Sequence, residues 1–213
     1  MPLIAPSILS ADFLHLEKDV DFVNKNADIF HLDIMDGVFV PNISFGFPVV
    51  EAIASEAKKP MDAHLMIIHP EKYVERFAKT GVGMLSFHYE AAGEYSLSVI
   101  KQIKETGMKA GMAINPDIEV EKIFPFLKDL DYVLIMSVFA GYGGQKFIET
   151  SYQRIRVVKN EISRLGLDCM IEVDGGVSPA NAKKLSEAGA DIFVAGSSVF
   201  GSSNPENSIR MMR

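Results

Sequence analysis

His31-Leu32-Asp33-Ile34-Met35-Asp36-Gly37 reads as a short strand with a chemically divided pair of faces. Side chains alternate along a strand, so His31, Asp33 and Met35 point one way and Leu32 and Ile34 the other. A His and an Asp two residues apart on one strand face pose a burial problem. A shared divalent metal solves it, with imidazole nitrogen and carboxylate oxygen as ligands. A plain His–Asp hydrogen bond at a strand end solves it too.

Two further segments favour the metal. Asp62-Ala63-His64-Leu65-Met66 is a second short strand with His64 and Met66 on one face. Met170-Ile171-Glu172-Val173-Asp174-Gly175-Gly176 is a third, with Met170, Glu172 and Asp174 on one face. Together they offer His31, Asp33, His64 and Asp174, two nitrogens and two carboxylates. Such a set suits zinc, iron(II), manganese or cobalt better than calcium, which prefers oxygen ligands alone.

These three strands belong to a longer alternation. Apolar strand-like runs occur near 3–9, 29–35, 61–66, 83–88, 109–114, 131–137, 169–173 and 191–195. Helix-like segments follow near 13–25, 47–57, 71–80, 95–106, 119–127, 151–164, 179–188 and 205–212. Eight βα units in this order predict an α/β fold, a single (β/α)8 TIM barrel over residues 1–213. An open doubly wound sheet is less favoured, because no Gly-x-Gly-x-x-Gly follows the first strand. Ser10 and Asp12 suit a cap for the first helix, Gly107 and Gly166 suit helix ends, and Pro179 suits a first helical turn. In this fold active sites lie at the C-terminal ends of the strands, where His31, Asp33, His64 and Asp174 fall. Met35, Met66 and Met136 fall at the same end, as flexible core fillers or as a polarizable lining around reacting atoms.

Composition narrows the class. A chain of 213 residues, 48% hydrophobic and 23% charged, can bury a full core. A net charge of −7 argues against a nucleic-acid or anionic-membrane surface, so an anionic substrate must be held locally. The one cysteine, Cys169, excludes an internal disulfide and suits a reducing compartment as a buried thiol. No signal-peptide pattern opens the sequence and no apolar run approaches membrane-spanning length, so a cytoplasmic location is expected.

Glycine-rich turns follow the last three strands: Gly141-Tyr142-Gly143-Gly144-Gln145, Asp174-Gly175-Gly176-Val177-Ser178 and Ala195-Gly196-Ser197-Ser198. Glycine lets backbone N–H groups approach an anion closely, and loops after strands 7 and 8 of such barrels often hold phosphate. Phosphate-binding loops after strands 6, 7 and 8 are therefore expected. No Arg or Lys lies in the two later loops, so backbone dipoles would carry the charge.

His31–Asn42 (HLDIMDGVFVPN), Asp62–Met66 (DAHLM), Met136-Ser137-Val138, Gly143-Gly144-Gln145 and Glu172–Val177 (EVDGGV) resemble the ribulose-phosphate 3-epimerase family, as does the opening Ala5–Asp12 (APSILSAD). The resemblance runs in order along essentially the whole chain. It implies a metal-dependent interconversion of D-ribulose 5-phosphate and D-xylulose 5-phosphate, a step of the pentose phosphate pathway, through an enediolate. Asp33 and Asp174 would be the two acid/base groups, with His31, Asp33, His64 and Asp174 on one cation, zinc or iron(II) before manganese or cobalt. The resemblance also matches Ser7, His64, Met35, Met66, Met136, Gly143, Gly144, Gly175, Gly176, Gly196 and Ser197 to substrate-binding positions. His88 would support the site from behind, while Asp36 would be a structural acceptor and His15 and His69 solvated. The partners expected are a small ketose phosphate and further copies of the chain as a homo-oligomer, with neither nucleic acid nor membrane.

One segment departs from the family pattern. The usual loop after strand 6 reads Asn-Pro-Gly-Phe-Gly-Gly-Gln, whereas Phe139 and Ala140 here replace Asn and Pro. A related sugar such as D-allulose 6-phosphate is therefore an alternative substrate. A phosphate-binding lyase or decarboxylase would usually want a Lys at a strand's C-terminal end, and none is present. A non-catalytic sugar-phosphate sensor would not need two carboxylates flanking a metal.

Overall fold

A computed structural model describes residues 1–213. Eight parallel strands run in the order β1-β8-β7-β6-β5-β4-β3-β2. They are β1 (Leu3–Pro6), β2 (Phe30–Met35), β3 (Met61–Met66), β4 (Met84–His88), β5 (Lys109–Ile114), β6 (Tyr132–Met136), β7 (Met170–Asp174) and β8 (Ile192–Ala195). A single parallel bridge, Ser7 to His31, joins the first and second strands and nearly closes the barrel. Nine α-helices surround it: α1 (Leu16–Asn26), α2 (Phe47–Glu56), α3 (Val74–Lys79), α4 (Tyr89–Ala92), α5 (Ser96–Glu105), α6 (Ser151–Leu165), α7 (Ala182–Ala188), α8 (Ser197–Phe200) and α9 (Pro205–Met212). No helix is long and apolar enough to cross a membrane.

Strand alternation divides the core in two. Outward-facing Leu32, Ile34, Leu65, Leu85, Phe87, Val133, Ile135, Val173 and Phe193 join the helix faces in one large apolar cluster. Burying each such side chain contributes about 1.5–3 kcal/mol. The inward-facing set is different. Ala5, Met84, Tyr132, Ile192 and Val194 form a small apolar floor, and above it lie fully buried His31, Asp62, His64, Ser86, His88 and Glu172. Gly111 opposes Tyr132 in the β5–β6 ladder. A Cβ there would lie 2.2 Å from the Tyr132 ring, so glycine makes the room that the phenol occupies.

Several sequence-based boundaries shift, each for a local reason. The first strand stops at Pro6, because Ile8–Ser10 turn into a 3-10 helix. Ser10 and Asp12 do not cap α1, which starts after His15 with no side-chain cap; Asp12 accepts from the Leu14 N–H in the turn before it. The segment near 119–127 is a 3-10 helix over Val120–Phe126, where Pro125 has no N–H for an α-helical ladder. The 71–80 segment divides into a 3-10 turn, Pro70–Lys72, and α3. Pro179 lies in the turn before α7. Gly166 does close α6 in the left-handed conformation, φ 65°, as a helix-ending glycine should.

Candidate active site

At the C-terminal ends of the strands, a cleft opens among the loops. Ser7, Asp33, Met35, Met66, Met136 and Asp174 line its floor. Gly143, Gly144, Gly175, Gly176, Gly196 and Ser197 line its wall. Every residue matched to substrate binding is thus on this cleft except His64, which lies fully buried beneath it beside His31.

Strand register assembles the polar cluster. Asp33 pairs across to His64, and His31 to Asp62, in the β2–β3 ladder. Asp33 Oδ1 faces His31 Nε2 at 3.5 Å and His64 Nδ1 at 3.4 Å. Asp174 Oδ2 lies 3.7 Å from the same His64 nitrogen. Ser7 Oγ donates to the other Asp33 oxygen at 2.5 Å. Behind the cluster, His31 Nδ1 donates to Asp62 at 2.8 Å, and the Tyr132 hydroxyl donates to the second Asp62 oxygen at 2.6 Å.

Three buried imidazole nitrogens remain without a hydrogen-bond partner: His88 Nδ1 behind the site, and His31 Nε2 and His64 Nδ1 within the cluster. Buried polar atoms are rarely left so. The last two face Asp33 and Asp174, and one ligand atom from each of His31, Asp33, His64 and Asp174 falls within 4.8 Å of all the others. Two imidazoles and two carboxylates so converged fit one divalent cation. Asp62 fixes the His31 tautomer from behind, as outer partners of ligating histidines do.

The same crowding shifts protonation. Burial opposes charge on His31, but Asp33 beside it holds the imidazole pKa well above its usual value. Burial also opposes charge on Asp33, yet His31 and His64 hold it far below the usual carboxylate range. Burial drops His64 to about 4. Burial, then Asp62, pushes Glu172 up to about 8, and burial, then Asp33, pushes Asp174 up to about 7. Glu172, Asp174 and His31 in the cation-free protein therefore keep protons that the unfolded chain releases. Stability falls with pH where the folded state binds more protons. His64 has the opposite sign, but its contribution fades as pH rises through its ordinary value near 6.5. The melting temperature of cation-free protein should thus drop by on the order of 5 °C between pH 6.5 and 8, and Glu172→Gln should reduce the drop. A melting temperature that rises across this window contradicts the assignment.

Other histidines and glycine loops find their places. His88 Nε2 lies 2.9 Å from His64 Nε2, behind the site. Asp36 accepts from the N–H groups of Val38, Phe39 and Ile68, tying two loops together. His15 and His69 are exposed, 69% and 59% at the side chain. Cys169 is buried, and burial pushes its thiol up to about 12, which excludes a ready nucleophile. Gly176 (φ 63°) needs its glycine twice over, since a Cβ would also lie 2.7 Å from the Phe147 nitrogen. No lysine or arginine lines the cleft.

Sequence reading did not pick out Asp62, Tyr132, Glu172 or the short helix α8 as parts of the site. For Asp62 and Glu172 the signal was present, since each shares a strand face with a ligand-type residue two positions on. For α8 it was not, because four residues cannot show a helical period.

The model of the ribulose-phosphate 3 epimerase family matches residues 3–200. A ribulose-phosphate 3-epimerase of Bacillus subtilis is 46% identical over 212 residues, covering 99% of this chain and 97% of that protein. One from Aquifex aeolicus is 41% identical over 215 residues, covering 100% and 96%. Among solved structures, KGPDC from Streptococcus mutans superposes with a TM-score of 0.72 at 15% identity, covering 100% of this chain and 95% of that one. The 3-hexulose-6-phosphate synthase of Salmonella typhimurium also gives 0.72 at 15%, covering 99% and 96%. At that identity these two share the barrel and nothing finer. The full-length relatives and the family match, set against a cleft in which the resembling motifs converge, place the chain in the ribulose-phosphate 3-epimerase family of isomerases.

Proposed function

We propose that this enzyme interconverts D-ribulose 5-phosphate and D-xylulose 5-phosphate by moving a proton at carbon 3, with Asp33 and Asp174 as the two acid/base groups. The observation that carries this reading is the convergence of two carboxylates from separate strands, β2 and β7, on one cleft. The carbon 3 hydrogen is acidic because it neighbours the carbon 2 ketone. One aspartate takes that proton as the C–H bond breaks, leaving a planar enediolate. The other delivers a proton to the opposite face, forming the new C–H bond and inverting the centre. Ser7 holds Asp33 by its hydrogen bond, leaving Asp33 Oδ1 toward the histidines. Each acid/base contribution is typically worth about 10²–10⁴-fold.

His31, His64, Asp33 and Asp174 would hold one divalent cation, zinc or iron(II) before manganese or cobalt, which when bound polarises the ketone and stabilises developing negative charge. Met35, Met66 and Met136 give the reacting carbon an apolar, deformable surround. The loops carrying Gly143, Gly144, Gly175, Gly176, Gly196 and Ser197 are the phosphate end, where backbone N–H groups compensate for the absence of Lys and Arg.

Remote binding of phosphate positions the reacting carbon, so its loss should cost turnover as well as affinity. Ribulose without phosphate should have kcat/KM at least ~10³-fold below ribulose 5-phosphate, measured by NMR alongside D-allulose 6-phosphate. Equal efficiency on ribulose and its phosphate removes the phosphate assignment. A preference for the six-carbon sugar reassigns the substrate and traces to Phe139 and Ala140.

A further inference from the structure

The end of β4 carries a chain of polar groups that leads away from the cleft. His64 Nε2 and His88 Nε2 are 2.9 Å apart, and the two rings meet edge to edge, 24° from parallel, with centroids 5.0 Å apart. On the far side of His88, its Nδ1 faces Glu90 Oε1 at 3.5 Å. The same Glu90 oxygen accepts from the Asn115 backbone N–H at 3.1 Å and from Asn115 Nδ2 at 2.8 Å. Asn115 Oδ1 in turn accepts from the Ala140 N–H at 2.9 Å. That last contact anchors the loop after β6, whose Phe139 and Tyr142 line the cleft.

A close contact between two imidazole nitrogens needs one proton between them, and the proton can belong to either ring. In one arrangement His88 carries its proton on Nε2 and donates to His64. His64 then carries its own proton on Nδ1, the nitrogen facing Asp33 and Asp174, and that nitrogen can ligate nothing. In the other arrangement His88 carries its proton on Nδ1 and accepts from His64 Nε2–H. His64 Nδ1 is then a bare lone pair aimed at the carboxylates. A carboxylate only accepts, so Glu90 beside His88 Nδ1 favours the second arrangement.

We propose that Glu90 is a positioning residue which, acting through His88, keeps the proton of His64 on Nε2 and so presents the His64 Nδ1 lone pair to the cation site. The proposal rests on the reading of His64 as a ligand given above. It extends by one imidazole the common arrangement in which a carboxylate orients a ligating histidine. A competing account is that Glu90 merely staples the end of β4 to the end of β5 through its two bonds from Asn115.

The test is made on the full-length chain with divalent cations removed and no substrate. Long-range proton–nitrogen NMR at pH 7.5 reads which nitrogen of each histidine is protonated. In the wild type, His64 should show a protonated Nε2 and a bare Nδ1. A protonated Nδ1 there overturns the proposal without any variant. In Glu90→Ala, the Nδ1–H form of His64 should appear, and zinc affinity measured by competition with a chromophoric chelator should fall by about 10–100-fold. Glu90→Gln keeps an acceptor toward both Asn115 and His88 and should restore most of the affinity. A folded Glu90→Ala protein with unchanged His64 tautomer and unchanged zinc affinity leaves Glu90 only a staple and sinks the proposal. None of these readings depends on turnover, so a failure of the epimerase assignment is separately visible in the sugar assays.

Discussion

Asp33→Asn and Asp174→Asn should each reduce epimerization by at least ~10⁴-fold, since inversion needs a proton-transferring group on both faces of the intermediate. The amide keeps the shape of the side chain and removes the transferable proton. The two variants should differ elsewhere. Asp33 is ionised between His31 and His64, so Asn there removes a charge that both imidazoles hold and should lower the melting temperature of cation-free protein. Asp174 is held partly protonated by burial and by Asp33, so Asn there should be neutral or slightly stabilising. Each variant should still exchange the carbon 3 hydrogen of the one epimer that faces its surviving carboxylate. Cation content must be measured in the same samples, because both residues belong to the cluster that could hold the cation. Cation-loaded variants that interconvert the sugars at near the wild-type rate contradict a two-base mechanism.

Removing the divalent cation should be nearly as severe. The basis is the pair of buried nitrogens, His31 Nε2 and His64 Nδ1, left without partners beside two carboxylates. Lewis-acid stabilisation of developing charge is worth several kcal/mol, so exhaustive chelation followed by desalting should cost roughly 10³-fold in turnover. Adding back zinc, iron(II), manganese or cobalt should restore it to differing extents. Chelated protein, shown by elemental analysis to be cation-free and yet fully active, would leave the donor set without a catalytic role.

The strands were legible where they are buried on both faces and end at clear turns. β3 and β5 fall at 61–66 and 109–114, as their apolar patterns indicate. Period-two alternation also exposed much of the site, because His31 with Asp33, and Glu172 with Asp174, break the apolar rule for a barrel interior. What alternation cannot show is the offset between neighbouring strands. The contacts of His31 with Asp62, Tyr132 with Asp62, and Glu90 with Asn115 depend on register and on side chains 25 to 70 residues apart in sequence. The room that Gly111 leaves for the Tyr132 ring is equally invisible along the chain. At the periphery, local signals misled. Ser10 and Asp12 have the chemistry of helix caps, but the 3-10 turn at Ile8–Ser10 delays α1 to Leu16. Pro125 carried a usable warning, since a proline inside a helical period argues against a regular α-helix.

The central claim is that two carboxylates exchange protons with solvent on opposite faces of carbon 3. Converting ribulose 5-phosphate in deuterium oxide with wild-type, cation-loaded enzyme tests it most directly. Xylulose 5-phosphate formed in the first turnovers should carry deuterium at carbon 3, because the proton removed by one aspartate is not the one delivered by the other. Product that retains the original hydrogen at carbon 3 would show one group carrying the same proton across, and would contradict the paired roles of Asp33 and Asp174.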